Sequence, residues 1–269
     1  MKIPLFLVFI LLLPSALSAQ SLLLEYTFNE SEPRYLSTGE IPVTLSSRGA
    51  LQSAGAPGSG VSGNYSDRAW DASANTTQGI GLPANTSALV SPAKQLDFSM
   101  LQAFTITFWY KTQHPFTDDA ATRFIMKSER PSEPIGQGLM LRSYKGALEL
   151  RLGAVQPGND GQLSEVVANS TRFPANSGYN RTDIWIFAAI TWNGKNIRFH
   201  VGDSKLPVSD AGGSPFAGSI VDAPGLLAIG NARSFNRGLD GWLDNFRLYG
   251  TALSNASLES IRRSDLQPR

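Results

Sequence analysis

Residues 226–253, LLAIGNARSFNRGLDGWLDNFRLYGTAL, are the stretch that decides the fold. A short apolar segment, residues 226–229, leads through a Gly-Asn turn and a polar loop to residues 241–249. These nine residues alternate between two sets, Trp242, Asp244, Phe246 and Leu248 against Leu243, Asn245, Arg247 and Tyr249. Alternation with a period of two is typical of a β-strand with two different faces. A carboxylate beside aromatic residues in such a strand is costly to bury unless it is paired or bound to a cation.

Strand-like segments recur along the chain between loops rich in Gly, Pro, Ser and Asn. They are residues 22–28, 105–110, 124–127, 138–143, 148–152, 184–192, 197–202, 226–229 and 243–249. Helical periodicity is convincing only at residues 255–262, where Ser254 is placed to cap a short helix. Many strands without alternating helices predict an all-β antiparallel sandwich or barrel. Residues 33–83 are rich in glycine and serine, and residues 54–64 among them have the composition of a linker. Because a strand precedes them, we expect a long loop inside one domain, residues 20–269.

The first nineteen residues predict a signal peptide. Lys2 precedes an apolar run at residues 3–13, and small residues surround a cleavage point after Ala19. The run is too short for a membrane span, and no apolar run of about 18 residues occurs in the rest of the sequence. The sequence therefore predicts no membrane insertion. The sequence therefore predicts an exported protein that is secreted, periplasmic or held at the cell surface.

Charge and cysteine content narrow the choice of partners. The chain has 23 basic and 22 acidic side chains, and one of the basic ones is Lys2 in the leader. This balance, without basic runs, argues against nucleic acid as a partner. The chain has no cysteine, so its own core has to hold it together, and an exported chain of this kind leans toward a bacterial origin. Seven Asn-x-Ser/Thr sequons argue the other way. The oligomeric state is open.

Four further segments carry a family resemblance. They are LLLEYTFNES at residues 22–31, QLDFSMLQAFTITFWYK at 95–111, GLMLRSYKGALELRLG at 138–153 and DIWIFAAITWNGKNIRFHVGD at 183–203. In this order, and with the closing strand, they resemble the laminin-G-like, concanavalin A-like lectin/glucanase domain. The resemblance implies a two-sheet antiparallel jelly-roll sandwich. It also implies non-catalytic binding of a glycan or an extracellular protein. A structural subunit of a secreted or cell-surface assembly and a glycan-cleaving hydrolase or lyase are the alternatives.

The resemblance also implies a structural Ca²⁺ ion. Asp244 would be its side-chain ligand, with backbone carbonyls near Phe28 and Asn29 or from the loop at Gly63. Calcium takes six to eight hard oxygens, so one carboxylate with carbonyls and waters suffices. The alternative is that Asp244 accepts hydrogen bonds from backbone amides or pairs with an arginine.

Candidate ligand-binding residues are aromatic, because exposed rings stack on sugars. Trp109 lies on the opposite face of its strand from Phe104, Ile106, Phe108 and Tyr110, on the sheet face where glycan-binding relatives place such rings. Phe116, Tyr144 and Tyr179 lie in loops that are placed to form a rim, as do Tyr65, Trp70 and Phe235. For Trp109 the alternative is a place in the core.

A catalytic arrangement is missing from the sequence. Retaining glucanases of this fold carry two carboxylates about 5 Å apart on one strand, and no such run occurs here. The nearest acids, Glu129 and Glu133, are separated by Pro131 and read as a turn. We therefore expect no catalytic residues.

Cleavage of the leader predicts that the exported protein begins at Gln20. N-terminal sequencing of protein recovered outside the cytoplasm checks this. A first residue at Met1 in that material would contradict the predicted leader.

Overall fold

The computed structural model describes residues 21–48, 53–73, 88–92, 94–116, 122–130, 136–182, 184–232, 234 and 236–267. The predicted leader, residues 1–19, lies outside these. The described residues contain no helix that is both long and apolar enough to cross a membrane.

The described chain forms seventeen strands, one 3₁₀ turn at Phe98–Met100 and one α-helix. They are β1 (Leu22–Tyr26), β2 (Arg34–Leu36), β3 (Thr44–Arg48), β4 (Ser53–Ala54), β5 (Trp70–Asp71), β6 (Ala88–Ser91), β7 (Phe104–Thr112), β8 (Arg123–Ser128), β9 (Gly138–Tyr144), β10 (Ala147–Val155), β11 (Leu163–Asn169), β12 (Ile186–Trp192), β13 (Asn196–Asp203), β14 (Ser209–Pro215), β15 (Ser219–Ile220), β16 (Leu227–Ile229), β17 (Gly241–Tyr249) and α1 (Asn255–Asp265).

The strands form two antiparallel sheets. The first sheet has the order β14-β13-β12-β7-β17-β5-β4, and β1 also pairs with β17. The second sheet has the order β11-β10-β9-β8-β16-β6-β3-β2, and β15 also pairs with β10. This is the predicted all-β, two-sheet jelly-roll sandwich with a short C-terminal helix.

The core between the sheets follows from alternation along the strands. In β7, Phe104, Ile106, Phe108 and Tyr110 point inward, as predicted, and each is fully buried. Leucines at alternate positions of β9 and β10 meet them from the second sheet. Burying one such side chain contributes roughly 1.5–3 kcal/mol. Tyr110 also donates its hydroxyl to the carbonyl of Tyr179 (2.7 Å), so its polar end is satisfied in the core.

The predicted faces of β17 are wrong beyond Asp244, because the strand carries a β-bulge. Asp244 lies opposite Trp109, yet Arg247 lies opposite Thr107, so β17 contains one extra residue. Asn245 absorbs that residue in the left-handed region, at φ 49°. A bulge of this kind changes which side of the sheet the following residues face. Asp244 and Arg247 therefore share the outer face with Trp109.

Helix α1 covers this outer face. Ser254 caps the helix, as predicted, by accepting a hydrogen bond from the amide of Ser257. Leu258 of the helix packs in one apolar cluster with Trp109, Phe187 and Tyr249. The helix reaches Asp265, three residues beyond the predicted end.

An ionic network ties α1 to the sheet. Arg247 donates to both carboxylate oxygens of Asp265 (2.8 and 2.9 Å) and to Oε1 of Glu25 in β1 (2.8 Å). Trp109 donates its indole N–H to Asp265 Oδ2 (2.9 Å). Burial lowers the pKa of Arg247, but the carboxylate of Asp265 outweighs this and the net pKa is raised. Trp109 is fully buried. The prediction that its ring offers a stacking surface is therefore wrong.

The region predicted as a long loop, residues 33–83, instead supplies four short strands, β2 to β5, to the two sheets. Two of them contain only two residues. Pieces this short show no hydrophobic periodicity in the sequence, because backbone pairing with a longer neighbour holds them in place.

Loss of the buried network should destabilise the fold far more than loss of an exposed pair. Asp265→Ala leaves Arg247 buried with one carboxylate partner fewer, and we expect about 3–5 kcal/mol less free energy of unfolding. Denaturant unfolding monitored by tryptophan fluorescence measures this. The control is Asp210→Ala, which breaks the exposed Arg198–Asp210 pair on β13 and β14 and should cost under about 1 kcal/mol. Equal losses in the two variants would contradict the role given to Asp265.

Candidate binding pocket and carboxylate site

An open pocket lies at one end of the outer face of the second sheet. The turn between β9 and β10 forms its floor, with Lys145 at φ 53° and Gly146 at φ 72°. A Cβ at Gly146 would come within 2.4 Å of the carbonyl oxygen of Phe173. Glycine is therefore needed for the segment after β11 to pack against this turn.

Tyr179 holds that segment in place. Its hydroxyl lies 2.6 Å from Oγ of Ser170 and has the carbonyl oxygens of Thr171 and Gly146 as acceptors for its one hydrogen. Ser170 in turn accepts a hydrogen bond from the amide of Leu148 in β10 (2.9 Å). Tyr179 is 2 % exposed. Its predicted role as a ligand-stacking ring is wrong, because the side chain is buried and holds the pocket wall in place by hydrogen bonds.

The pocket has a volume of about 320 Å³, at the lower end of the range for small-molecule sites. Its lining residues are Tyr144, Lys145, Ala147, Glu149, Asn169, Ser170 and Arg172. Tyr144, Phe116, Trp109 and Tyr179 were the predicted ligand-binding residues, and among these only Tyr144 lines the pocket with a half-buried ring. We call this site the Tyr144 pocket.

An ionic ladder runs beneath the pocket. Oε1 of Glu149 accepts from Arg142 Nε (2.7 Å) and lies 2.6 Å from its Nη2. The same oxygen accepts from Arg151 Nε (2.6 Å), and Arg151 also donates to Glu165 (2.9 Å). The guanidinium of Arg142 stacks 4.2 Å from the centroid of the Tyr144 ring. The pocket wall is thus fixed by charge pairs rather than by apolar packing alone.

Phe116 belongs to the core. It is 5 % exposed and contacts the rings of Tyr110 and Phe124. The amide side chain of Asn180 accepts from the backbone N–H of Phe116 and donates to its carbonyl. The prediction that Phe116 lines a ligand rim is therefore wrong. Tyr65 is 83 % exposed, but it lies in a different loop.

A second, smaller cavity of about 240 Å³ lies on another side of the segment that Tyr179 anchors. Its lining includes Phe173, Ile186, Val201 and Leu206, together with Tyr179. The side chain of Leu206 is 63 % exposed. Tyr179 therefore supports two cavities from one position.

Asp244, the predicted metal ligand, is completely buried. Its Oδ2 accepts a hydrogen bond from the amide of Val61 (2.8 Å), whereas Oδ1 has no hydrogen-bond partner within the described part of the chain. Burial, and secondly the nearby carboxylate of Asp67, hold the pKa of Asp244 well above its usual range. The amide contact matches the predicted alternative of backbone hydrogen bonding, but it accounts for one oxygen only.

Asp67 is the neighbour that sequence reasoning missed. It is 8 % exposed, and its Oδ2 accepts from the amide of Ser62 (2.8 Å). Val61 and Ser62 thus present successive amides to two different carboxylates, which places Asp244 and Asp67 side by side. A Cβ at Gly60 would lie within 2.6 Å of the Asp67 carboxylate, so a side chain at this position would displace that carboxylate.

The other predicted ligands lie around the same loop. Asn29 accepts from the amide of Arg68 (2.7 Å), next to Asp67. Phe28 precedes it in the left-handed region at φ 57°, an uncommon conformation for a bulky residue. Gly63 lies at the exposed turn of the loop and donates its amide to the carbonyl of Gly60. Within the described ranges, no three His, Asp or Glu side chains come together as a metal cluster.

The missed residues carry only weak signals in the sequence. Lys145 precedes a glycine between two apolar strands, a turn pattern that brings its side chain to the end of a hairpin. Arg172 and Asn169 lie in a segment without periodicity, so only the fold brings them to Lys145. Asp67 lies after a glycine-rich loop of the kind that lets backbone amides approach an acid.

Residues 83–259 match a family model described as the concanavalin A-like lectin/glucanases superfamily. The chain belongs to this superfamily. The matched range contains β6 to β17 and the Tyr144 pocket, together with Asp244. A comparison with curated proteins found no match.

Solved structures with this fold include three botulinum neurotoxin domains. The serotype G binding domain superposes with a TM-score of 0.57 at 11 % identity, over 90 % of this chain and 51 % of that one. The serotype D ligand binding domain, in complex with N-acetylneuraminic acid, gives 0.55 at 12 % identity, over 91 % and 51 %. The neurotoxin DC binding domain, in complex with rat synaptotagmin II, gives 0.52 at 13 % identity, over 92 % and 52 %. This chain therefore spans about half the length of each, and at these identities the likeness is one of fold.

Proposed function

We propose that this protein is a non-catalytic binding module that holds a glycan in the Tyr144 pocket. The observation that carries the proposal is the pocket itself, an open cavity on a rigid sheet that gathers an aromatic ring with the polar side chains of Lys145, Asn169 and Arg172. Sugars present many hydroxyl groups, and donors and acceptors fixed in a cavity recognise them by hydrogen bonds. The superfamily, and a structural neighbour in complex with N-acetylneuraminic acid, support the same class of ligand.

The acids near the pocket favour binding over cleavage. Hydrolysis of a glycosidic bond uses two carboxyl groups, one of which gives a proton to the leaving oxygen. Glu149 and Glu165 both contact Arg151, and Glu149 also contacts Arg142. These contacts give both glutamates a structural role in the ladder beneath the pocket.

An extracellular protein is the second candidate ligand. Strand β11 is an edge of the second sheet, and on it Leu163 and Val167 are 44 % and 39 % exposed. An exposed edge with apolar side chains is a surface on which another chain can add a strand.

Attachment of the protein to whole cells separates the two candidate ligands, because periodate destroys glycans whereas protease removes proteins. The glycan proposal requires that periodate abolish attachment.

We further propose that the module acts outside the cytoplasm, because residues 1–19 are predicted to be a leader.

We also propose that a Ca²⁺ ion binds at Asp244. The fit rests on the bare, buried Oδ1 of Asp244 and on the second carboxylate, Asp67, beside it. Asn29, which follows the left-handed Phe28, accepts from the amide of Arg68, next to Asp67. When bound, calcium would supply the positive charge that two adjacent buried carboxylates lack.

Binding to polysaccharides should depend on Tyr144. Tyr144→Ala removes the ring that holds Arg142 against the pocket wall, and a cation–π contact of this kind contributes about 1–2 kcal/mol. We expect a roughly ten-fold weaker affinity for whichever polysaccharide the protein binds on an array.

The matched control is Tyr65→Ala, which removes a more exposed tyrosine from another loop and should leave the affinity unchanged. Reducing ends are measured in the same samples. New reducing ends would contradict the non-catalytic proposal, and an array on which the wild type binds nothing would contradict the glycan proposal.

Calcium should stabilise the wild type. An ion that binds only the folded chain adds about 2.7 kcal/mol at one hundred times its dissociation constant. Thermal unfolding with excess calcium and with chelator measures the difference. Asp244→Asn should abolish the calcium response, whereas Asp210→Asn on β14 should keep it.

The response should weaken as the pH falls, because the raised pKa of Asp244 means that protons compete with the cation for this carboxylate. A wild type that unfolds at one temperature in chelator and in calcium, with no metal found by elemental analysis, would leave Asp244 as a protonated structural acid.

A further inference from the structure

We infer that the Tyr144 pocket selects an acidic saccharide, one that carries carboxylate or sulfate groups, over a neutral one. This inference rests on the proposed glycan-binding function and names the class of glycan. It follows from the balance of charge in the pocket and from the way in which the aromatic ring is used.

The cations of the pocket lack acidic partners. Lys145 is half-buried and Arg172 is exposed, and both line the cavity. Neither forms an ion pair with any carboxylate of the described chain. Their positive charges are therefore available to a ligand.

The acidic residue of the pocket lining, Glu149, is already paired with arginines. Glu149 is the acidic residue in the lining, and its Oε1 receives contacts from two guanidinium groups, Arg142 and Arg151. Among the described residues that line the pocket, Lys145 and Arg172 stand against one carboxylate, Glu149. The described lining therefore presents two cations to a ligand beside a carboxylate that is already paired with arginines.

The ring of Tyr144 packs against two cations. The guanidinium of Arg142 lies 4.2 Å from the centroid of Tyr144, and Nζ of Lys145 lies 5.2 Å from it. A ring flanked in this way holds positive charge beside the pocket and has less free surface for stacking on a neutral sugar. Recognition by charge-assisted hydrogen bonds is what remains, and arginine is well suited to carboxylate and sulfate oxygens.

The attraction is local. The whole chain has a formal charge of +1, so general attraction to polyanions is weak. At physiological ionic strength, charges more than about 8 Å apart are largely screened. The excess around this cavity acts at shorter range, while the exposed Asn169 offers its side-chain amide to sugar hydroxyls.

The test uses pairs of probes that differ only in charge. Polygalacturonate oligomers are compared with their methyl-esterified forms, and dextran sulfate with dextran, by isothermal titration at low and physiological salt. We expect at least one acidic probe to bind about ten-fold more tightly than its neutral partner, as a charge-assisted hydrogen bond implies. The first pair reports carboxylate recognition, and the second reports sulfate recognition.

Variants assign the effect to the pocket. Lys145→Gln and Arg172→Gln should each weaken binding of the acidic probe by about ten-fold. Lys195→Gln removes an exposed lysine from the β12–β13 turn, outside the pocket, and should have no effect. An equal loss in Lys195→Gln would overturn the assignment to this pocket.

The failures can be told apart. If neutral probes bind as tightly as acidic ones and Tyr144→Ala still weakens both, the acidic preference is wrong and the proposed glycan-binding function stands. If neither these probes nor the polysaccharides of the array bind, both proposals fall.

Discussion

The ion pair between Arg247 and Asp265 decides which face of the sandwich is open. It fastens helix α1 over the outer face of the first sheet, and Trp109 donates to the same carboxylate. Both charged side chains are almost fully buried, so their mutual attraction has to offset a large cost of desolvation. With that face covered, we place the proposed ligand in the Tyr144 pocket, at the end of the second sheet.

The bulge at Asn245 makes this arrangement possible. It turns Arg247 outward and lets it reach the helix, while Asp244 stays opposite Trp109 and meets the loop at Val61. One extra residue in β17 thus places a buried arginine and a buried acid on the same face. Arg247 is paired with the carboxylates of Glu25 and Asp265. Asp244, by contrast, lies beside a second acid, Asp67.

Much of the sandwich could be predicted from the sequence, because alternation in β7 and the apolar runs of β9, β10 and β12 report burial directly. The helix cap at Ser254 could also be predicted from the sequence. The bulge could not be predicted, since strict alternation through residues 241–249 is also the pattern of a regular strand. Short strands such as β4 and β5 carry no pattern of their own, because pairing with longer neighbours holds them.

The candidate site was harder to predict for a related reason. Trp109, Phe116 and Tyr179 look like binding aromatics in the sequence, but each has a partner that only the fold brings near: Asp265, Asn180 and Ser170. Conversely, no sequence pattern marks Lys145 and Arg172 as a site, because a lone cation in a loop is common. They come together only because the 26 residues between them fold back as β10 and β11.

The central claim is that ligand enters the Tyr144 pocket and not the face beneath the helix. Backbone amide chemical shifts, recorded during titration with polygalacturonate oligomers or whichever saccharide of the array binds most tightly, test it most directly. The account predicts that the largest changes fall at residues 142–149 and 169–172, with residues 105–109 and 255–265 unmoved. Changes concentrated at residues 105–109 and 255–265 would contradict it.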